Sequence, residues 1–123
     1  MGNHVPKKIL LVDDNKFDLN TISNLLRSKG YETQTAESGS VAMKLLHQDT
    51  GFDVVITDLH MPEMTGIELL GNIRSDITKE LMVLGLTAYE DYQYHESMLM
   101  LGADAVFMKS VEYNDLLEFL ASA

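Results

Sequence analysis

Residues 9–15 read ILLVDDN, an apolar run that ends abruptly in two aspartates. A short continuous apolar run is typical of a strand covered on both faces, which predicts a buried strand over residues 9–12. Leucine and isoleucine then recur at helical spacing up to Gly30, and this pattern predicts a helix over residues 16–29. The stretch therefore predicts a strand whose carboxyl end carries two acidic side chains and leads into a helix.

The same alternation of short apolar runs and amphipathic segments continues to the end of the chain. It predicts further strands at residues 31–36, 53–57, 81–86 and 105–108, and further helices after the N-cap Ser38, after Gly66, over 90–101 and over 113–121. Strict alternation of strands and helices implies parallel strands, right-handed crossovers and helices on both faces. The predicted fold class is α/β, with a doubly wound five-stranded parallel sheet.

The composition restricts the class of protein. The chain has 123 residues, of which 46% are hydrophobic, so we expect a single domain spanning residues 1–123. The absence of cysteine excludes disulfides and thiolate metal sites. Acidic residues outnumber basic ones 19 to 9, which disfavours direct binding to nucleic acid. No apolar run is long enough for a membrane span or a secretory signal, so we expect a cytoplasmic protein without a membrane partner.

Polar and charged residues stand directly after four of the predicted strands. Asp13 and Asp14 follow the first strand, Asp58 follows the third, Thr87 follows the fourth and Lys109 follows the fifth. In open parallel sheets, ligands bind beyond the carboxyl ends of the strands, where these side chains are expected to converge. The sequence thus predicts one small site containing three carboxylates, a hydroxyl and an ammonium group.

This set of groups suits a particular chemistry. Three close carboxylates repel one another, and a hard divalent cation relieves the repulsion. Oxygen-only ligands favour Mg²⁺ over zinc, which prefers nitrogen and sulfur ligands. A carboxylate beside such an ion can attack phosphorus to form an aspartyl phosphate, while a hydroxyl and an ammonium bind the phosphoryl oxygens. The set therefore predicts phosphoryl transfer to an aspartate.

Four motifs resemble those of the response-regulator receiver family of two-component signalling. They are ILLVDDN at 9–15, DVVITDLHMPEMTG at 53–66, LGLTA at 84–88 and GADAVFMK at 102–109. The resemblance extends over residues 7–120, which we take as the core of the domain. It implies a flavodoxin-like (βα)5 fold with the strand order 2-1-3-4-5.

The resemblance also implies a role for each residue of the predicted site. Asp58 matches the phosphoacceptor, and Mg²⁺, for which Mn²⁺ is an alternative, would be bound nearby. The implied metal ligands are Asp13, Asp14, Asp58 and the backbone carbonyl of His60. The implied phosphoryl-binding and switch residues are Thr87, Ala88 and Lys109.

The resemblance further implies the partners. The phosphoryl donor would be a phosphohistidine on a sensor histidine kinase or a histidine phosphotransfer domain, and the protein would catalyse only its own phosphorylation and dephosphorylation. We expect a monomer or a weak phosphorylation-dependent dimer. The face expected to bind the unknown output partner comprises Tyr92, His95, Leu99 and Val106. The stripe of the same helix expected to face the sheet comprises Tyr94, Met98 and Leu101.

The sequence departs from the family pattern at two positions. Val106 stands three residues before Lys109, where the family usually has an aromatic residue that moves with the switch threonine. Phe107 is no simple substitute, because adjacent residues of a strand point to opposite faces. Ser110 replaces the proline that usually follows the lysine in a cis peptide, so we predict a trans bond or a strained cis bond.

Other interpretations of the same residues stay open at this point. Asp14 could cap the first helix instead of binding metal. The Val106 departure favours an interaction module that acts without phosphorylation. A magnesium phosphatase would need an acid two residues after Asp58, where this chain has His60. A flavin site would need a phosphate-binding loop after the first strand, where two aspartates stand instead.

Overall fold

The computed structural model describes residues 6–78 and 80–123, and this part of the chain contains one sheet of five parallel strands. The strands are β1 Lys8–Val12, β2 Glu32–Ala36, β3 Val54–Asp58, β4 Met82–Thr87 and β5 Ala105–Met108. They lie in the order β2-β1-β3-β4-β5, and every neighbouring pair is parallel. The predicted fold class and strand order are confirmed, and the predicted strand ends differ from the observed ones by at most one residue.

Helices alternate with the strands. Within the described residues they are α1 Lys16–Ser28, α2 Gly39–Gln48, α3 Gly66–Asn72, α4 His95–Met100 and α5 Tyr113–Ser122. A π-helical segment, Ile73–Ile77, prolongs α3, and a 3-10 helix, Tyr89–Tyr94, precedes α4. In this part of the chain no helix combines the length and the apolar character needed to cross a bilayer.

Side-chain caps fix where the first helices begin. The side chain of Asn15 accepts a hydrogen bond from the backbone N–H of Asp18 at 3.0 Å and thereby caps α1. The alternative in which Asp14 caps this helix is therefore wrong. Ser38 caps α2 as predicted, by accepting from the N–H of Val41 at 3.1 Å.

The core consists of two apolar clusters, one on each face of the sheet. Successive residues of β1 alternate between them, so that Leu10 packs towards α2 and α3, whereas Leu11 packs towards α1 and α5. Both leucines are fully buried, and burial of each such side chain stabilises the fold by about 1.5–3 kcal/mol. Covering both faces holds the strands in a fixed register and hence fixes the positions of their carboxyl ends.

The segment before β5 differs from the prediction. A continuous helix over residues 90–101 was expected, whereas the chain forms a 3-10 helix up to Tyr94 and only then enters α4. A 3-10 helix turns by a larger angle per residue than an α-helix, so side chains on its two sides fall out of register with a single α-helical stripe. Of the stripe expected to face the sheet, Met98 is buried, but Tyr94 and Leu101 are 41% and 59% exposed.

The two central residues of β5 point to opposite faces, as predicted. Val106 is 6% exposed and lies in the cluster that contains Met98, whereas Phe107 lies in the other cluster, with its ring edge-on to Phe119. Val106 is therefore unavailable to a partner, and its assignment to the partner-binding face is wrong. Because β5 is covered on both faces, it buries the Val106 side chain, which the prediction had placed at the surface.

The chain turns sharply after β5. The described residues contain no cis peptide bond, so the bond between Lys109 and Ser110 is trans, the first of the two predicted alternatives. Ser110 has a φ of 69°, and the N–H of Val111 donates to the carbonyl of Lys109 at 2.8 Å. This three-residue γ-turn with a positive φ at its centre is a strained conformation for serine.

Candidate functional site

The predicted carboxylates meet at the carboxyl edge of the sheet. Asp13 is fully buried, Asp58 is 6% exposed, and Asp14 is exposed to solvent. One carboxylate oxygen from each of the three lies within 4.8 Å of the others. The adjacent parallel strands β1 and β3 therefore place three oxygen ligands around one small space.

Lys109 enters this space from the end of β5. Its Nζ lies 2.7 Å from Oδ2 of Asp13 and 3.5 Å from Oδ1 of Asp58. The same ammonium also donates to Oδ2 of Asp18 at 2.9 Å. The lysine thus links the strand-end carboxylates to the first turn of α1.

Thr87 completes the set from the end of β4. Its side chain is fully buried, and its hydroxyl has no hydrogen-bond partner among the described residues. The backbone carbonyl of Thr87 accepts from the N–H of Lys109 at 2.8 Å, which joins the ends of β4 and β5. Since a buried hydroxyl without a partner costs free energy, this group is suited to a ligand that can accept its hydrogen bond.

Backbone contacts hold the two aspartate loops in place. The N–H of Asn15 donates to Oδ1 of Asp13 at 2.9 Å, so one oxygen of this carboxylate is already bonded. Gly66 donates its N–H to the carbonyl of Leu59 at 2.8 Å. A Cβ at Gly66 would lie only 2.3 Å from the carbonyl oxygen of Asp58, so the absence of a side chain there lets the loop fold back against the site.

Burial and neighbouring charges shift the pKa values of the side chains in the site. Desolvation raises the pKa of Asp58 to about 7, and the charge of Asp13 adds to the rise, whereas Lys109 opposes it. Burial also raises the pKa of Asp13, although the hydrogen bond from Lys109 lowers it. For Lys109, burial lowers the pKa, but hydrogen bonds to Asp13 and Asp18 outweigh this and leave it above its usual range. The lysine is therefore a permanent cation beside carboxylates that repel one another.

The donor set fits a small hard cation. Oxygens bound to Mg²⁺ lie about 2.0–2.1 Å from the ion, and therefore at most about 4.2 Å from one another. One oxygen each from Asp13, Asp14 and Asp58 lies within 4.8 Å of the others, which is close to the largest separation that two ligands of one such ion can have. A cation there would also neutralise the repulsion that raises the pKa of Asp58.

The sequence matches a family model over almost this whole fold. Residues 9–121 match the response regulator receiver domain. The chain belongs to the response regulator receiver family. The resemblance stated from the four motifs is confirmed.

Receiver proteins of plants and bacteria are among its relatives. The two-component response regulator ORR3 of Oryza sativa subsp. indica is 35% identical over 109 residues, which cover 88% of this chain and 83% of that protein. The chemotaxis protein CheY of Pseudomonas aeruginosa is 46% identical over 83 residues, which cover 66% of each chain.

Solved structures of receiver proteins share the fold. A response regulator receiver domain protein from Clostridium thermocellum has a TM-score of 0.87 at 32% identity, covering 94% of this chain and 92% of that one. The response regulator TrrA of Thermotoga maritima, solved in complex with Mg²⁺-BeF, has a TM-score of 0.84 at 34% identity, covering 94% and 97%.

In this receiver domain, five of the predicted site residues come together at one edge of the sheet, namely Asp13, Asp14, Asp58, Thr87 and Lys109. Of the predicted partner face, Tyr92 lies on the 3-10 helix and His95 and Leu99 lie on α4, whereas Val106 is buried in β5. Ala88 follows Thr87 directly and is partly exposed. Tyr92 and Leu99 are 46% and 38% exposed, and the ring of His95 packs edge-on against Tyr92 at 4.9 Å. These three residues share a shallow surface groove, which also has Gln93 and Glu96 in its lining.

Sequence reasoning missed one residue of the site, Asp18. It lies in the first turn of α1, and its carboxylate binds Lys109 although the two residues are 91 positions apart. Asp18 lies three positions after the N-cap Asn15, in the first helical turn, where acidic residues are favoured. That spacing is a signal in the sequence, but only the position of Lys109 shows what the carboxylate contacts.

Proposed function

We propose that this receiver domain accepts a phosphoryl group on Asp58 from a phosphohistidine of a sensor histidine kinase or a histidine phosphotransfer domain. Mg²⁺, or Mn²⁺ as an alternative, would be held by Asp13, Asp14, Asp58 and the backbone carbonyl of His60. The ion supplies a positive charge that draws phosphoryl oxygens to the site and neutralises the carboxylates around it. A cytoplasmic location is part of the same proposal.

The unpartnered hydroxyl of Thr87 is the observation that carries this proposal. It is buried, its neighbour Lys109 is charged, and Lys109 lies 3.5 Å from Asp58. A phosphoryl group on Asp58 would offer acceptor oxygens to both the hydroxyl and the ammonium. A buried hydroxyl loses about 1–3 kcal/mol when it makes no hydrogen bond, so the phosphorylated state would recover part of that loss.

The residues act in the following order in the transfer. A carboxylate oxygen of Asp58 attacks phosphorus in line with the donor nitrogen, and the P–N bond breaks as the new P–O bond forms. The donor imidazole leaves with its bonding electron pair and takes up a proton. Lys109 and the hydroxyl of Thr87 donate hydrogen bonds to the phosphoryl oxygens, while Ala88 supplies a small side chain and a backbone beside them. Hydrolysis ends the phosphorylated state: water attacks phosphorus, the P–O bond to Asp58 breaks, the carboxylate leaves with the bonding electron pair, and inorganic phosphate is released.

Phosphorylation would then alter the partner-binding face formed by Tyr92, His95 and Leu99. Thr87 ends β4, and the 3-10 helix that carries Tyr92 starts two residues later. Movement of the Thr87 side chain towards a phosphoryl oxygen therefore acts directly on this segment. An exposed tyrosine and leucine suit a contact with an output partner or a weak phosphorylation-dependent dimer.

The test is incubation with Mg²⁺ and either a small acyl phosphate or beryllofluoride. The wild type should gain one phosphoryl group by mass spectrometry of the intact protein, and Asp58→Asn should gain none. Glu90→Gln is the matched control, because Glu90 is an exposed acid just after the site and its loss should leave phosphorylation unchanged.

Two outcomes would contradict the proposal. Uptake of phosphate by Asp58→Asn would place the acceptor elsewhere. Absence of uptake by the wild type, with unchanged partner affinity in the presence of beryllofluoride, would favour the interaction module that acts without phosphorylation, which the buried Val106 in place of an aromatic ring supports.

A further inference from the structure

Asp18 is held firmly at the start of α1. Its backbone N–H donates to the capping side chain of Asn15 at 3.0 Å, which fixes the first turn of the helix. Its carboxylate is 28% exposed and accepts from Lys109 at 2.9 Å. The helix start therefore holds a carboxylate close to the ammonium that faces the phosphoacceptor.

Lys109 shares its donors unequally. An ammonium has three N–H donors, and two of them go to Asp13 at 2.7 Å and to Asp18 at 2.9 Å. The distance of 3.5 Å to Asp58 exceeds the usual length of an N–H···O hydrogen bond. In this state the lysine is bound mainly by the two carboxylates that do not accept phosphate.

Asp18 also changes the balance of charge. When ionised, Asp13, Asp14 and Asp58 carry three negative charges, which Lys109 and one divalent cation would balance. Asp18 adds a further negative charge within hydrogen-bond distance of Lys109, so the occupied site would hold one negative charge in excess. A phosphoryl group entering such a site meets repulsion from a carboxylate that takes no part in binding the metal.

We propose that Asp18 competes with the phosphoryl group for Lys109 and so weakens the hold of the site on the phosphorylated state. This inference rests on the proposed function. Asp18 is a positioning residue that acts through Lys109, and its partly exposed carboxylate can release the ammonium at modest cost. The identity of this one side chain would then adjust how long the signal persists.

An ordinary helix-terminal role for Asp18 makes different predictions. An acidic residue in the first turn of a helix stabilises it through the helix dipole, and that effect needs no contact with Lys109. Only competition for Lys109 links substitution of Asp18 to the affinity for a phosphoryl analogue. The two roles can therefore be separated by measuring the affinity and the stability on the same variants.

The first measurement is the affinity for beryllofluoride at saturating Mg²⁺, determined by NMR titration. Asp18→Asn should bind the analogue about fivefold more tightly than the wild type, as expected for removal of one partly screened charge near the site. Asp18→Glu keeps the charge and should stay within about twofold of the wild type. The control Glu37→Gln removes an exposed acid after β2 and should leave the affinity unchanged.

The second measurement tests the contact itself, without metal or analogue. In EDTA, the shift in unfolding midpoint caused by Asp18→Asn should shrink or reverse in a Lys109→Gln background, because the two groups interact directly. Additive midpoint shifts would overturn the inference, and so would equal or weaker analogue affinity in Asp18→Asn. Failure of the wild type to bind beryllofluoride would instead contradict the proposed function.

Discussion

At the scale of single residues, the site holds carboxylate side chains in the interior, where water cannot solvate their charges. Asp13 is fully buried and Asp58 nearly so, and among the described residues only Lys109 forms an ion pair with either of them. Isolated carboxylates in such places are expelled or protonated unless a function retains them. The raised pKa of Asp58 is the result of this burial, to which the nearby charge of Asp13 adds.

Replacing Asp58 should stabilise the metal-free protein in a pH-dependent way. The pKa of Asp58 is about 7 in the folded chain against 3.8 for an unperturbed group, so the folded state binds more protons between these values. The stability of the wild type should therefore fall as the pH rises towards 7 and level off above it. Because Asp58→Asn lacks this penalty, it should be more stable by about 2 kcal/mol at pH 8.

Urea denaturation in EDTA at pH 5 and pH 8 measures this difference. The gain in free energy of unfolding should be larger at pH 8 than at pH 5, and Glu90→Gln should show no such dependence. A gain of equal size at both pH values would mean that Asp58 carries no repulsive charge in the folded state.

Two buried threonines on neighbouring strands should respond in opposite ways to the same substitution. The hydroxyl of Thr87 has no hydrogen-bond partner within residues 6–78 and 80–123, whereas the hydroxyl of Thr57 donates to the carbonyl of Asp58 at 2.9 Å. Thr87→Val should therefore raise the free energy of unfolding by about 1 kcal/mol, and Thr57→Val should lower it by a similar amount. Chemical denaturation of both variants decides this, and destabilisation by Thr87→Val would indicate that its hydroxyl is already satisfied.

At the scale of elements, the loop after β3 is folded tightly against the strand that it follows. The chain turns at Glu63, whose φ is 69°, and the N–H of Met64 donates to the carbonyl of Pro62 at 2.7 Å. Gly66 then begins α3 with its backbone against Asp58, and the N-cap Thr65 forms a capping box with Glu68. The start of α3 thus determines where the loop after Asp58 can lie.

Two glycines of α3 provide a matched pair for testing this arrangement. A Cβ at Gly66 would meet the carbonyl oxygen of Asp58 at 2.3 Å, whereas a Cβ at Gly71 would meet no atom of the described residues within 4 Å. Gly66→Ala should cost about 2–3 kcal/mol and weaken analogue binding, because the loop has to move. Gly71→Ala should stabilise the protein by about 0.5–1 kcal/mol, as expected for alanine in a helix. Equal effects at the two positions in denaturation experiments would show that the close contact does not hold the loop.

The elements also show which features the sequence could predict. The strands and the cap Ser38 follow from local signals, because apolar runs and N-cap residues act over a few positions. The cap Asn15 was missed because two aspartates and an asparagine in a row are all good capping residues, and the turn geometry selects one. Asp18 was missed because its partner Lys109 is distant in sequence, and periodicity carries no information about such a contact.

At the scale of the whole molecule, the site joins strands in the centre of the sheet to a strand at its edge. Asp13 and Asp58 end strands in the centre of the sheet, whereas Lys109 ends the edge strand β5. The first α-helix after Thr87 in the chain is α4, which spans only six residues and receives no side-chain cap from the part of the chain that the structure describes. Isolated helices of this length are unstable in water, so α4 depends on packing contacts such as that of the buried Met98.

This asymmetry predicts where the response to phosphorylation appears. Binding of beryllofluoride should draw the Thr87 hydroxyl towards Asp58 and change amide hydrogen exchange over residues 89–100 more than in α2, which packs at the opposite end of the sheet. The measurement is hydrogen exchange by mass spectrometry with saturating Mg²⁺ and analogue. Thr87→Val should bind the analogue without the change over 89–100, because the connecting hydroxyl is gone. Equal protection of α2 and α4 would instead reflect only the global stabilisation that any bound ligand gives to a folded chain.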